Sequence, residues 1–295
     1  MFRLTGAAPE AEPAFAAATK ALDGRDPRGL VVDSPDALHE DRVAQILCCT
    51  AALAAWRALG PAVEDANVLA GYSIGELAAW GCAGVLDVET VMPLARVRAE
   101  AMDEVAGAGT GLLALRGLAR RAVDALCAEH ACDVAIIDGP RSFVVGGVST
   151  DLERLGADAL ARGATRTVHL PVAVASHTPR LAMASERFRT ALEALPVRAR
   201  VRPGLRLLRG IDGRVVFDVV EGEAALAAQI ARPVDWARCL EACREALVTT
   251  VLELGPGHAL AAMASEVMPR ARCRSLDDFS TLAGARRWLA DDRRG

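Results

Sequence analysis

The sequence has no dominant charge of either sign. Its 34 basic residues are balanced by 38 acidic residues, which leaves a formal net charge of −4. Lys20 is the only lysine, so the positive charge comes almost entirely from arginine. A chain with this balance offers no global electrostatic basis for binding nucleic acid, because such binding relies on an excess of basic surface. We therefore expect no nucleic-acid partner.

Long hydrophobic runs are also scarce. The first residues, MFRLTGAAPEAEPAF, contain no apolar core of a secretory signal. The longest apolar run, residues 43–56, is bounded by Arg42 and Arg57 and is too short to cross a bilayer. We expect a cytoplasmic protein that does not contact a membrane.

Zinc-binding spacing is missing as well. The chain has 8 cysteines, but they form no C-x-x-C pair and have no companion histidines at the spacing of a zinc site. The pattern favours free, mostly buried thiols in a reducing compartment, and we expect no metal and no bound cofactor. Internal repeats and Gly/Ser linkers are absent too, so a second domain would have to be inserted into the first.

The composition is that of a globular protein, with 52% hydrophobic residues in 295. Residues 41–59 form a helix that is apolar nearly all round and is therefore expected to be buried. Residues 67–71 are short and apolar, run into a turn at 72–76, and are followed by another helical pattern. The order strand, sharp turn, helix predicts an α/β fold with a buried parallel sheet.

The pattern changes between residues 110 and 171. Strands are predicted at 111–115, 133–137, 142–148 and 165–170, with helices at 119–130 and 151–162. This β-α-β-β-α-β order is typical of a ferredoxin-like unit. We predict that 110–171 is an inserted ferredoxin-like subdomain, and that 1–109 and 172–295 form an α/β-hydrolase-like core. In the rest of the core, strands are predicted at 205–208, 214–217 and 249–254. Helices are predicted at 176–195, from residue 224, at 234–246, and after the loop at 255–257.

A G-x-S-x-G motif at residues 71–75 follows the short strand. On a strand-to-helix turn the serine hydroxyl projects outward, and the next N–H, that of Ile74, can stabilise an oxyanion. Ser73 is thus a candidate nucleophile, which needs a base. The residues alone leave His177 in competition with the other four histidines of the chain, at positions 39, 130, 169 and 258.

Five blocks of sequence carry a resemblance to a known family. They are, in order, GYSIGELAAWGCAGVLD, LARVRAEAMDE, LPVAVASHTPRL, AAQIARPVDW and LELGPGHAL. The chain resembles the malonyl-CoA:acyl-carrier-protein transacylase family over nearly its whole length. Within this family, the chain most resembles the malonyl-CoA acyltransferase (epsilon) subunit of malonate decarboxylase. This closer resemblance is carried by Tyr72 before the serine and by the segments ELAAWG and VAVASHTPRL.

The resemblance implies a role for each matching residue. Ser73 would be the nucleophile and His177 its base, while Arg98 would bind the free carboxylate of the malonyl group. The main-chain carbonyl of Gln229 would orient His177, and the N–H of Ile74 would serve the oxyanion. Malonyl would pass from malonyl-CoA through a serine ester to the prosthetic-group thiol of an acyl carrier protein, such as the delta-type subunit of malonate decarboxylase.

The chain departs from the family at one point and leaves other functions open. The family's opening Gly-Gln-Gly motif, which supplies a second oxyanion N–H, has no counterpart here, and we expect a misplaced start codon rather than a true loss. The alternative within the class is the transacylase of fatty-acid or polyketide synthesis. Other classes are a serine esterase or thioesterase, which would need no carboxylate-binding arginine, and a non-catalytic assembly subunit.

Overall fold

The computed structural model of the protein describes residues 1–195 and 200–291. Its helices are α1 (Glu12–Ala21), α2 (Pro27–Asp33), α3 (Asp41–Leu59), α4 (Pro61–Glu64), α5 (Ile74–Cys82), α6 (Val88–Ala106), α7 (Arg120–Glu129), α8 (Ser149–Ala161), α9 (Ala182–Glu193), α10 (Val219–Ala228), α11 (Trp236–Glu245), α12 (Ala259–Val267) and α13 (Leu282–Ala290). Its strands are β1 (Val68–Leu69), β2 (Thr110–Arg116), β3 (Asp133–Gly139), β4 (Ser142–Val148), β5 (Arg166–His169), β6 (Arg206–Leu207), β7 (Val234–Asp235), β8 (Thr250–Glu253) and β9 (Arg272–Ser275).

Helix α3 lies at the centre of the largest hydrophobic core and has the bounds that the sequence predicts. It packs against α1, α5 and α6, which surround it. It is the one described helix that is long and apolar enough to cross a membrane, yet most of it is buried inside the protein, as in the core helix of a folded domain. Helix α6 beside it begins at Val88, and the carboxylate of the preceding Asp87 accepts the Thr90 N–H at 2.7 Å and caps the first turn.

The segment between residues 110 and 171 folds as six elements in the predicted order, β2-α7-β3-β4-α8-β5. Its strands lie side by side in the order β5-β2-β4-β3, with antiparallel neighbours. A difference from the sequence-based expectation is that the sheet does not end at β3. The short strand β7, from far along the chain, adds to it in parallel, so the segment and the rest of the protein share one five-stranded sheet.

The predicted continuous parallel sheet is wrong for the described residues. Parallel pairing outside the five-stranded sheet is confined to two separate pairs, β1 with β6 and β8 with β9. An apolar groove of about 1000 Å³ is lined by residues of both β1 and β8. Strands must lie about 4.8 Å apart to bond, and among the described residues the two pairs stay separate, with the groove between β1 and β8.

Several predicted boundaries are also wrong. The helix predicted at 176–195 begins only at Ala182, after a 3₁₀ turn at Pro179–Leu181, and the strand predicted at 214–217 is reduced to a single bridge between Leu208 and Val215. The helix predicted from residue 234 begins at Trp236, because Val234 and Asp235 pair with β3. Strand β9 and helix α13 follow α12, where the sequence suggested that the fold was complete.

Candidate active site

Ser73 lies at the turn between β1 and α5, as the motif predicts. Its backbone is in the left-handed region, with φ 52° and ψ −121°, and it serves as the N-cap of α5. A Cβ at Gly71 would overlap the main chain of Gly75 and Glu76, so the turn requires glycine there. A Cβ at Gly75 would meet no atom within 4 Å, so the second glycine of the motif is not required by crowding.

The Ser73 hydroxyl and the His177 imidazole are in direct contact. Ser73 Oγ lies 2.8 Å from His177 Nε2, and His177 Nδ1 lies 2.6 Å from the main-chain oxygen of Gln229. A carbonyl oxygen only accepts, so Nδ1 must carry the proton and donate it to Gln229. Nε2 is then the unprotonated nitrogen that accepts from the serine hydroxyl, which is the arrangement of a nucleophile and its general base.

The position of His177 is fixed by its backbone as well as by its ring. Its φ is 63°, and its N–H donates to the main-chain oxygen of Ile230 at 2.9 Å. Burial is the largest influence on the imidazole and lowers its pKa to about 3, with the nearby Arg98 guanidinium lowering it further. The ring is therefore neutral at neutral pH and able to take a proton from Ser73.

Arg98 places a cation beside this pair from the middle of α6. The side chain is 2% exposed, and its guanidinium contacts Gln45 Oε1 at 2.5 Å, Gln229 Oε1 at 3.4 Å and Ser73 Oγ at 3.5 Å. These three partners are neutral. Burial lowers the pKa of Arg98, but a guanidinium stays charged in a protein. The site therefore presents a buried positive charge whose hydrogen-bond partners in the described chain do not neutralise it.

Gln229 contacts both the base and the cation. It is fully buried at the C-terminal end of α10, where its main-chain oxygen accepts from His177 and its side-chain oxygen accepts from Arg98.

Ile74, the candidate oxyanion donor, is the first residue of α5, and the N–H groups of the first turn have no acceptor within a helix. Ser73, Ile74, Arg98, His177 and Gln229 are thus brought together, although they come from distant parts of the chain.

Three comparisons with known proteins bear on this arrangement. Residues 31–271 match the family model described as "Acyl transferase domain", which covers most of the chain. The chain belongs to the acyl transferase family. The transferase is 30% identical over 282 residues to the malonyl CoA-acyl carrier protein transacylase of Mycobacterium bovis, a match that covers 93% of this chain and 92% of that one. It is 28% identical to the Salmonella typhimurium protein of the same name, covering 94% and 91%.

Solved structures agree in fold with the transferase. An acyl-carrier-protein S-malonyltransferase from Burkholderia pseudomallei superposes with a TM-score of 0.85 at 31% identity, covering 94% of this chain and 91% of that chain. A malonyl-transacylase solved in complex with a type II PKS acyl-carrier protein superposes with a TM-score of 0.86 at 27% identity, covering 95% and 91%.

Sequence reasoning missed two buried polar residues that contact the site, Gln45 and Glu76. Gln45 receives the Arg98 contact on one side and donates to Asp41 Oδ2 at 2.7 Å on the other. Burial raises the pKa of Asp41 to about 6, with Arg98 opposing the rise. A single amide within the otherwise apolar pattern of α3, and a carboxylate within that of α5, are signals that could have identified both residues.

The other predicted base candidates whose side chains are described have different partners. His130 pairs with Asp158 at 2.9 Å and His258 with Asp278 at 2.9 Å, while His169 is exposed on β5. Glu129, His130 and Asp158 lie close enough to hold a metal ion, but Arg162 already pairs with Glu129. The geometry of that cluster is that of a surface ion-pair network. His39 falls in a 3₁₀ turn at Pro35–His39, away from the motif in sequence.

Proposed function

We propose that the transferase moves malonyl from malonyl-CoA to the prosthetic-group thiol of an acyl carrier protein. Ser73 is the nucleophile and His177 the general base, with the Gln229 carbonyl holding the imidazole in its working tautomer. Arg98 binds the malonyl carboxylate, and the Ile74 N–H stabilises the oxyanion. The names of the curated relatives and solved structures support this substrate and this acceptor.

The observation that carries the proposal is the buried guanidinium beside the nucleophile, whose direct hydrogen-bond partners are all neutral. Arg98 Nη2 lies 3.5 Å from Ser73 Oγ. In malonyl, the free carboxylate is separated from the thioester carbonyl by one methylene, so an acyl group bonded to Oγ places its carboxylate within reach of the guanidinium. Charge-assisted, bidentate binding of this kind favours malonyl over acetyl. A plain esterase has no need for a cation in this position.

The reaction proceeds in two balanced steps. Ser73 Oγ attacks the thioester carbonyl while its proton passes to His177 Nε2; the C–S bond breaks, and coenzyme A leaves as a thiol with that proton. The carrier's thiol then gives its proton to His177 and attacks the ester carbonyl, and the Ser73 oxygen leaves with the proton. A neutral imidazole is the form that each attack requires, and burial holds His177 in that form.

For the acceptor, we propose the phosphopantetheine carrier of fatty-acid or polyketide synthesis in preference to the carrier of malonate decarboxylase. The relatives named above are malonyl CoA-acyl carrier protein transacylases, and one solved structure pairs such an enzyme with a type II PKS carrier. The epsilon-subunit resemblance rests on Tyr72 and on the segments ELAAWG and VAVASHTPRL. The Tyr72 side chain donates to Asp138 Oδ1 at 3.1 Å and packs edge-on against Trp236, so it has a structural role that does not select a carrier.

For the domain organisation, we propose an acyltransferase core of residues 1–109 and 172–295 with an inserted ferredoxin-like subdomain at 110–171. The strand order β5-β2-β4-β3 and a hydrophobic cluster made only of residues from this segment support the insert. The strand-turn-helix at Ser73 supports an α/β-hydrolase-like core.

For the location, we propose the cytoplasm. The 8 cysteines are all free, which supports a reducing compartment.

The test is to incubate the purified protein with malonyl-CoA and measure its intact mass. The expected result is a malonyl ester that is absent from Ser73→Ala and that is discharged by a phosphopantetheine carrier. Release of malonate without a carrier would indicate a hydrolase, and no ester would indicate an assembly subunit. Discharge by the malonate decarboxylase carrier alone would overturn the proposed acceptor.

A further inference from the structure

Glu76 is a fully buried carboxyl group next to the active site that the mechanism above does not use. It lies in the first turn of α5, and its side chain is 0% exposed. Oε2 accepts hydrogen bonds from the Gly210 N–H, at 3.0 Å, and from the Gln229 side-chain amide. Oε1 has no partner among the described residues. A buried carboxyl is costly unless it is bonded, so these two contacts are what hold it there.

The carboxyl joins the helix of the nucleophile to the residue that holds the base. Ser73 caps the same helix three residues earlier, and the Glu76 N–H donates to the Ser73 oxygen at 3.0 Å. On the other side, Gln229 presents its main-chain oxygen to His177 at 2.6 Å. Glu76 is therefore a direct side-chain link between the helix that carries the hydroxyl and the residue that fixes the imidazole, beside the longer contacts that Arg98 makes to Ser73 and Gln229.

The space around this carboxyl is closely fitted. A Cβ at Gly210 would lie 2.5 Å from Glu76 Oε2 and 2.9 Å from Gln229 Nε2. Contacts this short require the ends of the Glu76 and Gln229 side chains to move, so a methyl group at position 210 would displace the carboxyl. The Gly210 oxygen in turn accepts from the Asp235 N–H at 2.8 Å, at the start of α11. Three segments thus meet at one carboxyl oxygen.

We propose that Glu76 is a positioning residue for malonyl transfer: through the Gln229 side chain it sets the main-chain carbonyl that aligns His177 with Ser73. The inference rests on the proposed function. Without the carboxyl, the Gln229 amide loses its acceptor, and in the described chain the side chain of Gln229 is held only by the 3.4 Å contact from Arg98. Displacing a reacting group by about 1 Å can cost about 100-fold in rate. Arg98 is affected less, because Gln45 holds it independently at 2.5 Å.

The conservative variant Glu76→Gln should keep the positioning function that Glu76→Ala loses. Its carbonyl oxygen can accept both N–H groups in place of Oε2, and its amide takes the place of Oε1, which has no partner in the described chain. Burial raises the pKa of Glu76 to about 8, so the native carboxyl is itself mostly protonated at pH 7 and resembles the amide in charge. The matched control is Glu253, which is 8% exposed and accepts the Ala261 N–H at 2.8 Å on β8.

The experiment measures kcat, KM for malonyl-CoA and melting temperature for Glu76→Ala, Glu76→Gln, Gln229→Ala, the double alanine variant and Glu253→Ala. We expect Glu76→Ala to lower kcat by about 10- to 100-fold with KM within about threefold. Glu76→Gln should stay within about threefold of wild type, and the double variant should be no slower than the slower single variant, because the two residues act as one unit. Glu253→Ala should lose stability and keep its kcat.

A proton NMR signal from His177 Nδ1–H gives a second readout, since its downfield shift reports the bond to Gln229. We expect Glu76→Ala to shift or broaden it and Glu253→Ala to leave it unchanged. A Glu76→Ala protein with the kcat and NMR signal of the control would overturn the proposal. Should that variant not fold, Gly210→Ala, which displaces the carboxyl, must lower kcat. A wild type that forms no serine ester would refute the proposed function instead, and the NMR comparison would still decide the positioning role.

Discussion

The turn at Ser73 has two very different sides. On one side, the side chains of His177, Gln229, Arg98 and Glu76 are all buried and joined by hydrogen bonds. On the other side, the apolar groove of about 1000 Å³ extends from the same turn between β1 and β8. The groove side is lined mainly by partly exposed apolar side chains, and only the first side has its groups fixed in direction by hydrogen bonds.

The difference separates two ways of stabilising one turn. Hydrogen bonds depend on direction, so the polar side fixes angles and distances to a few tenths of an ångström. Apolar contact has no direction and depends on the area buried. We therefore expect substitutions on the polar side to change the rate of transfer, and substitutions of apolar groove side chains away from the turn at residues 71–75 to change the free energy of unfolding.

The largest expected effect on rate follows from removing the base. His177→Ala should lower kcat for malonyl transfer by about 10⁴-fold or more, because no other group takes the Ser73 proton. The measurement is ester formation by rapid quench. The control is His130→Ala. His130 pairs with Asp158 within the segment 110–171, so this variant should transfer malonyl at the wild-type rate. Equal losses in both variants would mean that the effect is not catalytic.

The next effect concerns the charge of the acyl group. Arg98→Ala should lower kcat/KM for malonyl-CoA by about 100-fold, in line with the loss of a buried charge-assisted contact. Acetyl transfer should change by less than about threefold, since acetyl has no carboxylate. Arg96→Ala is the matched control, because Arg96 pairs with Asp23 and Glu100 at the surface. Losses of the same size with both acyl groups would refute the role of Arg98 in binding the carboxylate.

A substitution in the groove should do the opposite. Leu240 is 3% exposed and lines the groove, so Leu240→Ala should lower the free energy of unfolding by about 2–5 kcal/mol. The rate of transfer, measured where the variant is folded, should stay within about twofold. Val220→Ala, at a residue that is 73% exposed, should have little effect on stability. A large fall in kcat for folded Leu240→Ala would show that the two sides of the turn are coupled.

The last expected effect is on the pH dependence of stability. Burial lowers the pKa of His177 from 6.5 to about 3, so between these values the unfolded chain binds more protons and stability falls as the pH falls. Burial raises the pKa of Glu76 from 4.5 to about 8, with Arg98 opposing the rise and Asp212 adding to it, so stability falls as the pH rises through that range. The difference in melting temperature between Glu76→Gln and wild type should therefore grow in favour of the variant as the pH rises from 4.5 to 8. A constant difference across that range would contradict this.

The sequence predicted the local features of the site better than the way the sheets are arranged. The helix at 41–59 and the serine turn follow from apolar pattern and glycine placement, which act over a few residues. The choice of His177 over the other histidines needed either a family resemblance or the fold. It depends on a helix that begins only at Ala182, and on a contact with Gln229. The separation of β1 from β8 could not be read from the chain, since apolar periodicity does not say which strands meet.

The backbone of the reacting pair has a consequence for selection. Ser73 and His177 are both non-glycine residues with positive φ, at 52° and 63°. Conformations of this kind cost about 1–3 kcal/mol each, and glycine would relieve that strain while abolishing the chemistry. At each position this backbone strain opposes the contacts that the side chain makes, such as those of His177 with Ser73 and Gln229. The reaction is therefore what requires a serine and a histidine at these two strained positions.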